Sequence, residues 1–88
     1  MMVERSQVTR NFIRNAIQPD LRSIPHITQH IISQLKYHNI TTTDQIVGYF
    51  FSFNRSQMLF VSFLKELGID EQFSIFLGEQ LGHKFQTI

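Results

Sequence analysis

Residues 43–67 read TDQIVGYFFSFNRSQMLFVSFLKEL, and this stretch decides the fold class. Its apolar side chains recur at three- and four-residue intervals on both sides of the polar break Asn54-Arg55-Ser56, which is the spacing of two amphipathic helices. We expect Thr43 to cap the first helix and Asn54 or Ser56 to cap the second. Gly68 is predicted to end the second helix. The stretch therefore predicts two helices joined by a tight turn.

The same helical spacing continues on both sides of this stretch. Upstream, one helix is predicted over about Gln7 to Ile17, and another opens at Ser23 or Pro25 and ends near Asn39, a residue suited to a left-handed cap. Downstream, Asp70 is predicted to cap a last helix. No segment alternates cleanly between apolar and polar residues, so strands are not expected. We predict an all-α, compact five-helix domain in which residues 1–88 form a single unit.

The amino-acid composition indicates that this domain needs a partner. The 88 residues include nine Phe and two Tyr but no Cys, which excludes disulfides and thiolate metal sites. Domains this small are commonly stabilised by disulfides, metals or oligomerisation, and only the last remains open. Because so many aromatic side chains do not fit inside one small core, we expect some to be covered by a second chain or another protein.

The charged residues are distributed unevenly along the chain. Residues 1–22 hold four Arg against two acids, whereas residues 66–88 hold one Lys against four acids. The N-terminal part could meet phosphate, although a mixed solvated surface explains the charges equally well. No stretch is long and apolar enough for a membrane span, and the first residues lack the apolar core of a signal peptide. We therefore predict an intracellular protein with no membrane contact.

The motifs that carry catalysis are missing from the sequence. No Gly-rich phosphate loop, His-Glu-x-x-His or Gly-x-Ser-x-Gly occurs, and we expect neither an enzyme nor a cofactor or small-molecule substrate. His26 and His30 stand four residues apart and could share one helical face. Two imidazoles fall short of the three or four ligands of a zinc site, so we expect surface histidines and no metal.

Three segments resemble the barrier-to-autointegration factor family. The run from Ile46 to Phe51 resembles the family's apolar–Leu-Gly-Gln-Phe-Leu helix, and the run from Leu59 to Lys65 resembles its Leu-Phe-x-x-Trp-Leu-Lys. The spacing between these two runs fits without a gap. Near the N-terminus, Arg10-Asn11-Phe12-Ile13 is similar to the family's Arg-Asp-Phe-Val. The resemblance covers about three quarters of the chain.

The resemblance implies a fold and two assemblies, for which three sets of residues are candidates. It implies a helix-hairpin-helix (SAM-like) element, a nuclear, chromatin-associated homodimer that bridges double-stranded DNA without sequence preference, and a groove across the dimer for LEM-domain proteins. With the arginines of the basic N-terminal part, the positions expected at DNA are Arg10, Arg14, His26, Ile27, Thr28 and Gln34. The excess of Phe and the apolar stripe of the third helix place the expected dimer interface at Ile46, Val47, Gly48 and Phe50. The partner groove comprises Phe51, Phe53, Leu59 and Phe63.

Two of these assignments have alternatives from the residues themselves. Gly48 lies among large side chains and costs helix stability, so we expect a packing reason for it. The close approach of another helix is one reason, and a local core glycine is the other. The four groove residues could equally fill the core of a single chain, and for Leu59 and Phe63 that role is the stronger expectation.

Departures from the family pattern concern DNA binding. The family's Gly-Ile-Gly hairpin reads His26-Ile27-Thr28 here, and a family lysine matches Gln34. Asp70 and Glu71 stand where basic residues are expected after Gly68. His26 and Thr28 could donate side-chain hydrogen bonds to phosphate instead. Because phosphate neutralisation carries most of the affinity for DNA, these changes predict sequence-independent binding that is weak or absent. We expect a small dimeric adaptor that recruits a partner protein; the alternative is a fully active DNA-bridging protein that uses the helix-hairpin-helix element.

Overall fold

The chain alternates short turns with helices throughout the described residues. The structure, a computed structural model, describes residues 10–85. It is α-helical at 10–14, here called α1, and forms a 3-10 turn at Leu21–Ser23. Four longer helices follow, namely α2 (Gln29–Tyr37), α3 (Thr43–Ser52), α4 (Gln57–Glu66) and α5 (Glu71–Lys84). Apart from one bridge pair, residues 10–85 contain no β-structure, which confirms the all-α prediction for this part of the chain. The predicted start of the first helix lies outside the described residues.

Polar side chains cap the N-terminus of each longer helix. Thr28, Ser56 and Asp70 accept hydrogen bonds from the backbone N–H groups three residues ahead, at 3.2, 3.3 and 2.9 Å. Such caps satisfy donors that have no partner inside the helix. The predicted caps Ser56 and Asp70 are confirmed. Thr28 was not predicted, and because it provides the cap, α2 begins later than the Ser23 or Pro25 of the prediction.

The cap of α3 differs by one residue from the prediction. Thr42 accepts from the Gln45 N–H, and the Gln45 side chain bonds back to the Thr42 N–H, which completes a capping box. Thr43 is buried instead, and its hydroxyl donates to the Asp20 carbonyl at 3.1 Å. The prediction of Thr43 as the cap was therefore wrong, because this side chain joins α3 to the turn before α2.

Left-handed residues end three of the helices. Asn39, Asn54 and Gly68 follow α2, α3 and α4 with φ of 66°, 58° and 86°. In each case the next residue's N–H donates to a carbonyl five positions back, as in Ile40 to Leu35 at 2.9 Å, which is the Schellman arrangement. Asn39 and Gly68 confirm the prediction. These ends turn the chain sharply enough for successive helices to pack on one another.

The core lies between α2, α3, α4 and α5. Its most deeply enclosed rings are Phe50 and Phe60, whose centroids lie 5.4 Å apart in an edge-to-face contact. Leu64 of α4 and the Leu77 and Leu81 stripe of α5 close the core around them. Among the described helices, none has the length and apolar character needed to cross a bilayer.

Candidate functional site

The predicted hairpin lies beside a cleft between two helix starts. His26, in left-handed backbone with φ of 65°, and Thr28 form one edge, and the first turns of α2 and α5 form the walls. The cleft has a volume of about 570 Å³. It is lined by His26, Thr28, His30, Ile31, Asp70, Gln72, Phe73 and Phe76. The hairpin follows a 3-10 turn rather than an α-helix, so the helix-hairpin-helix element stays a prediction.

His26 takes a conformation that glycine adopts at lower cost. A left-handed backbone costs a non-glycine residue roughly 1–2 kcal/mol, although histidine occurs there more often than most residues. Its ring compensates in part through an edge-to-face contact with Phe76, with centroids 4.9 Å apart. His26 thus takes a left-handed turn and places an imidazole at the edge of the cleft.

The charges around the cleft suit phosphate poorly. The backbone N–H groups at the starts of α2 and α5 attract anions. The Asp70 carboxylate, however, lines the same cleft and already accepts the Phe73 N–H at 2.9 Å. An anion entering here would therefore meet a fixed carboxylate.

In residues 10–85 no group of three or more His, Cys, Asp or Glu is placed to hold a metal ion.

Thr28 and Gln34 make hydrogen bonds within the fold. The Thr28 hydroxyl oxygen accepts the bond that caps α2, and the Gln34 amide donates to the Leu67 carbonyl at 2.9 Å. The His38 ring also lies 3.1 Å from that carbonyl, so α2 is joined to the C-terminal end of α4 by two side chains. Gln34 therefore does not point freely from the surface assigned to DNA. Ile27 is half-buried and packs against the core.

Two arginines of the DNA set remain at the surface. Arg10 and Arg14 are exposed and lie one helical turn apart on α1. Arg22, which also belongs to the basic N-terminal part, is forked onto Asp20 with bonds of 3.3 and 3.1 Å. The Arg22 guanidinium holds the pKa of the Asp20 carboxyl below its usual range. Only part of the arginine charge predicted to meet phosphate is thus available for it.

The dimer set divides between the core and the surface. Ile46 and Phe50 are fully enclosed within one chain, at 1% and 0% exposure, so their side chains offer no surface to a second copy. Their assignment to the interface is corrected, because α3 turns this stripe towards α4 and α5. Val47 is half-buried and Gly48 is exposed. Apart from its two chain neighbours and the backbone of its own helix, no described residue would have an atom within 4 Å of a Cβ added at Gly48, so Gly48 is not a core glycine of the single chain.

The groove set also divides. The Phe53 and Phe63 rings lie 5.4 Å apart, and Tyr49 adds a third ring 4.6 Å from Phe63. Leu59 stands one turn before Phe63 on the same side of α4 and is 53% exposed. Phe51 instead contacts Phe85, at 4.9 Å between centroids. We call Tyr49, Phe53, Leu59 and Phe63 the α3–α4 aromatic patch.

Tyr49 was missed as a member of the patch. It stands four residues before Phe53, a spacing that places both side chains on one helical face. That spacing was the available signal. Phe51 lies on another face, since side chains two positions apart in an α-helix, as Phe51 and Phe53 are, point in directions about 200° apart.

The chain matches no family model, no curated protein and no solved structure. The geometry of these residues and the resemblance to the family are therefore what indicates a function for the chain.

Proposed function

We propose that the chain is a small non-enzymatic adaptor that recruits a partner protein through the α3–α4 aromatic patch. The observation that carries the proposal is an apolar surface that its own fold leaves open: Leu59 is 53% and Tyr49 is 39% exposed beside two half-buried rings. Contiguous apolar surface of this kind is characteristic of binding sites. The resemblance to barrier-to-autointegration factor extends the proposal to a nuclear, chromatin-associated homodimer whose partner is a LEM-domain-like protein.

The patch has the physical properties of a preorganised binding surface. Phe53 and Phe63 pack against the core on one side, which fixes their rings before any partner arrives. Binding then costs little side-chain entropy at these positions. Leu59 and Tyr49 contribute the surface that a partner would cover, and aromatic anchors commonly carry much of the energy of such contacts.

Leu59→Glu is expected to weaken binding to a purified LEM domain by about tenfold or more, because it places a charge on the most exposed apolar side chain of the patch. The exposed position should leave the fold intact, as measured by circular dichroism. Met58→Glu is the matched control, since Met58 is 76% exposed on the same helix and lies about 100° around it from Leu59. Calorimetric titration of both variants measures the difference. Equal losses in the two, or none in either, would contradict the proposal.

DNA binding enters the proposal as a weak, sequence-independent activity. Arg10 and Arg14 support contact with phosphate, whereas the Asp70 carboxylate in the cleft opposes it at the hairpin. The alternative, a fully active bridging protein that uses the hairpin, needs phosphate to bind beside that carboxylate. The two functions therefore differ in the number of phosphates that the protein neutralises.

A gel-shift titration with unrelated DNA duplexes at two salt concentrations separates them. With two or three available cations, log K should fall with log salt by a slope of about 2 to 3. Bridging with six to ten phosphate contacts would give a slope of roughly 5 to 9 and tight binding at low salt. The steep result would establish the alternative and overturn the weak-binding proposal.

A further inference from the structure

Lys84 makes a set of contacts that neither the core nor the proposed patch requires. Its ammonium, at the end of α5, donates to the carbonyls of Phe12 at 2.8 Å and Ile13 at 3.0 Å, and to that of Asn15. These acceptors lie some 70 positions earlier in the chain, where α1 ends. The ammonium also stands 5.6 Å from the centroid of the Phe12 ring, and Phe12 packs against the core.

The chemistry of the two groups matches. A lysine ammonium carries three N–H donors, and the last turn of a helix leaves carbonyls without intrahelical partners. These carbonyls form the negative end of the helix dipole, which favours a cation. Burial lowers the pKa of Lys84, while the three carbonyls favour its charged form. One side chain thus caps a helix from a distant part of the sequence.

α1 gains stability from these contacts. Most of the stability of a helix in a folded protein comes from its tertiary packing and not from the helix alone. Arg10 and Arg14 stand one turn apart, and like charges at that spacing weaken a helix. Phe12 and Lys84 supply the tertiary contacts that oppose this effect.

We infer that Lys84 is a latch that fixes α1 on α5 and thereby positions Arg10 and Arg14 as a preformed pair of phosphate-binding groups. The latch is a matter of structure alone, while the positioning of the arginines rests on the proposed DNA binding. Lys84 is a positioning residue in this account, because its own donors are occupied by carbonyls. A latched pair loses less freedom on binding than two arginines on a loose segment.

Trypsin tests the latch, since it cleaves after Arg14 when that segment leaves α5. In Lys84→Met, which keeps the methylene stem but loses the ammonium, cleavage after Arg14 should be about tenfold faster than in the unchanged chain. Lys65→Met is the matched control, because Lys65 is exposed and pairs with Glu71 at 3.4 Å. Cleavage after Lys36, inside α2, reports global unfolding in the same digest.

Each outcome of the digest decides for or against the latch. Selective acceleration after Arg14 in Lys84→Met supports it; an unchanged rate, or equal acceleration after Arg14 and Lys36, overturns it. If Lys84→Met loses its helical circular dichroism, Lys84→Arg replaces it, since a planar guanidinium cannot aim three donors as a compact ammonium does. Faster cleavage after Arg14 in Lys84→Arg supports the latch, and cleavage at the original rate overturns it.

A gel shift with an unrelated DNA duplex tests the positioning. Lys84→Met and Lys65→Met remove the same charge, but only Lys84→Met should also free the arginines, so it should bind about threefold more weakly than Lys65→Met. Equal affinities would show that Lys84 contributes charge alone and would overturn the positioning. If the unchanged chain binds no DNA, the proposed DNA function fails, while the digest still decides the latch.

Discussion

Phe50→Ala should destabilise the folded chain by about 3–5 kcal/mol, whereas Phe51→Ala should cost only about 1 kcal/mol. The two phenylalanines are neighbours in sequence, but Phe50 is 0% and Phe51 is 44% exposed. Truncating Phe50 leaves a cavity against the Phe60 ring in the centre of the core. Truncating Phe51 removes a half-exposed contact with Phe85. Urea unfolding followed by circular dichroism measures both losses.

The size of the first loss matters because a small domain has little stability in reserve. Net stabilities of order 5–10 kcal/mol are usual for such domains, so Phe50→Ala should shift the unfolding midpoint strongly. Sedimentation of the folded variants measures their oligomeric state, which separates a role in the core from a role at an interface between copies. A Phe50→Ala chain that unfolds at the original midpoint but sediments as a smaller species would show that Phe50 serves an interface between copies and not the core.

The helices could be predicted because each buries one stripe of side chains. In α3 the buried residues Ile46 and Phe50 stand four positions apart. A helix that buries only one face needs apolar side chains at this spacing. The roles of Asn39 and Gly68 at helix ends could also be predicted, since few residues adopt a left-handed backbone at low energetic cost. Local chemistry decides these features, and local chemistry is visible in the sequence.

The direction of each stripe was not visible. Periodicity shows that Phe50 and Ile46 share a face, but not whether that face meets α4 and α5 or a second copy of the chain. The apolar stripe was assigned to an interface between copies, and the packing of α3 places both residues inside the chain instead. In the groove set, Phe51 and Phe53 were grouped as candidates for one exposed apolar surface, although the helix directs them to different faces.

Contacts between distant parts of the chain were also beyond prediction. Gln34 meets Leu67, and Lys84 meets the end of α1, across 33 and about 70 positions. A lysine in the last turn of a helix normally stabilises the C-terminus of that same helix through the helix dipole. Only the folded arrangement shows that Lys84 serves another helix, and this is why the sequence offered no candidate latch.

The glycines also show that the sequence does not reveal which position lies at a close contact between two helices. Gly48 and Gly78 both interrupt Phe-rich helices, and the close approach of another helix was one of two reasons expected for Gly48. Gly48 has open space around it, whereas Gly78 is buried where α5 crosses α4. A Cβ at Gly78 would lie 2.9 Å from a Val61 methyl and 3.8 Å from the Gln57 carbonyl oxygen. The close helix contact within the chain thus belongs to Gly78.

Gly78→Ala should therefore destabilise the chain by about 1–2 kcal/mol, even though alanine favours a helix by about 1 kcal/mol over glycine. The added methyl meets Val61, whose β-branched side chain has little rotational freedom in a helix, so α4 and α5 must separate. Gly82→Ala is the matched control one turn later. The nearest atoms there belong to the end of the exposed Gln57 side chain, which can swing aside. Gly82→Ala should stabilise the chain by about 0.5–1 kcal/mol. Urea unfolding of both variants measures the opposite signs, and a gain in stability from Gly78→Ala would mean that α4 and α5 lie farther apart than this structure places them.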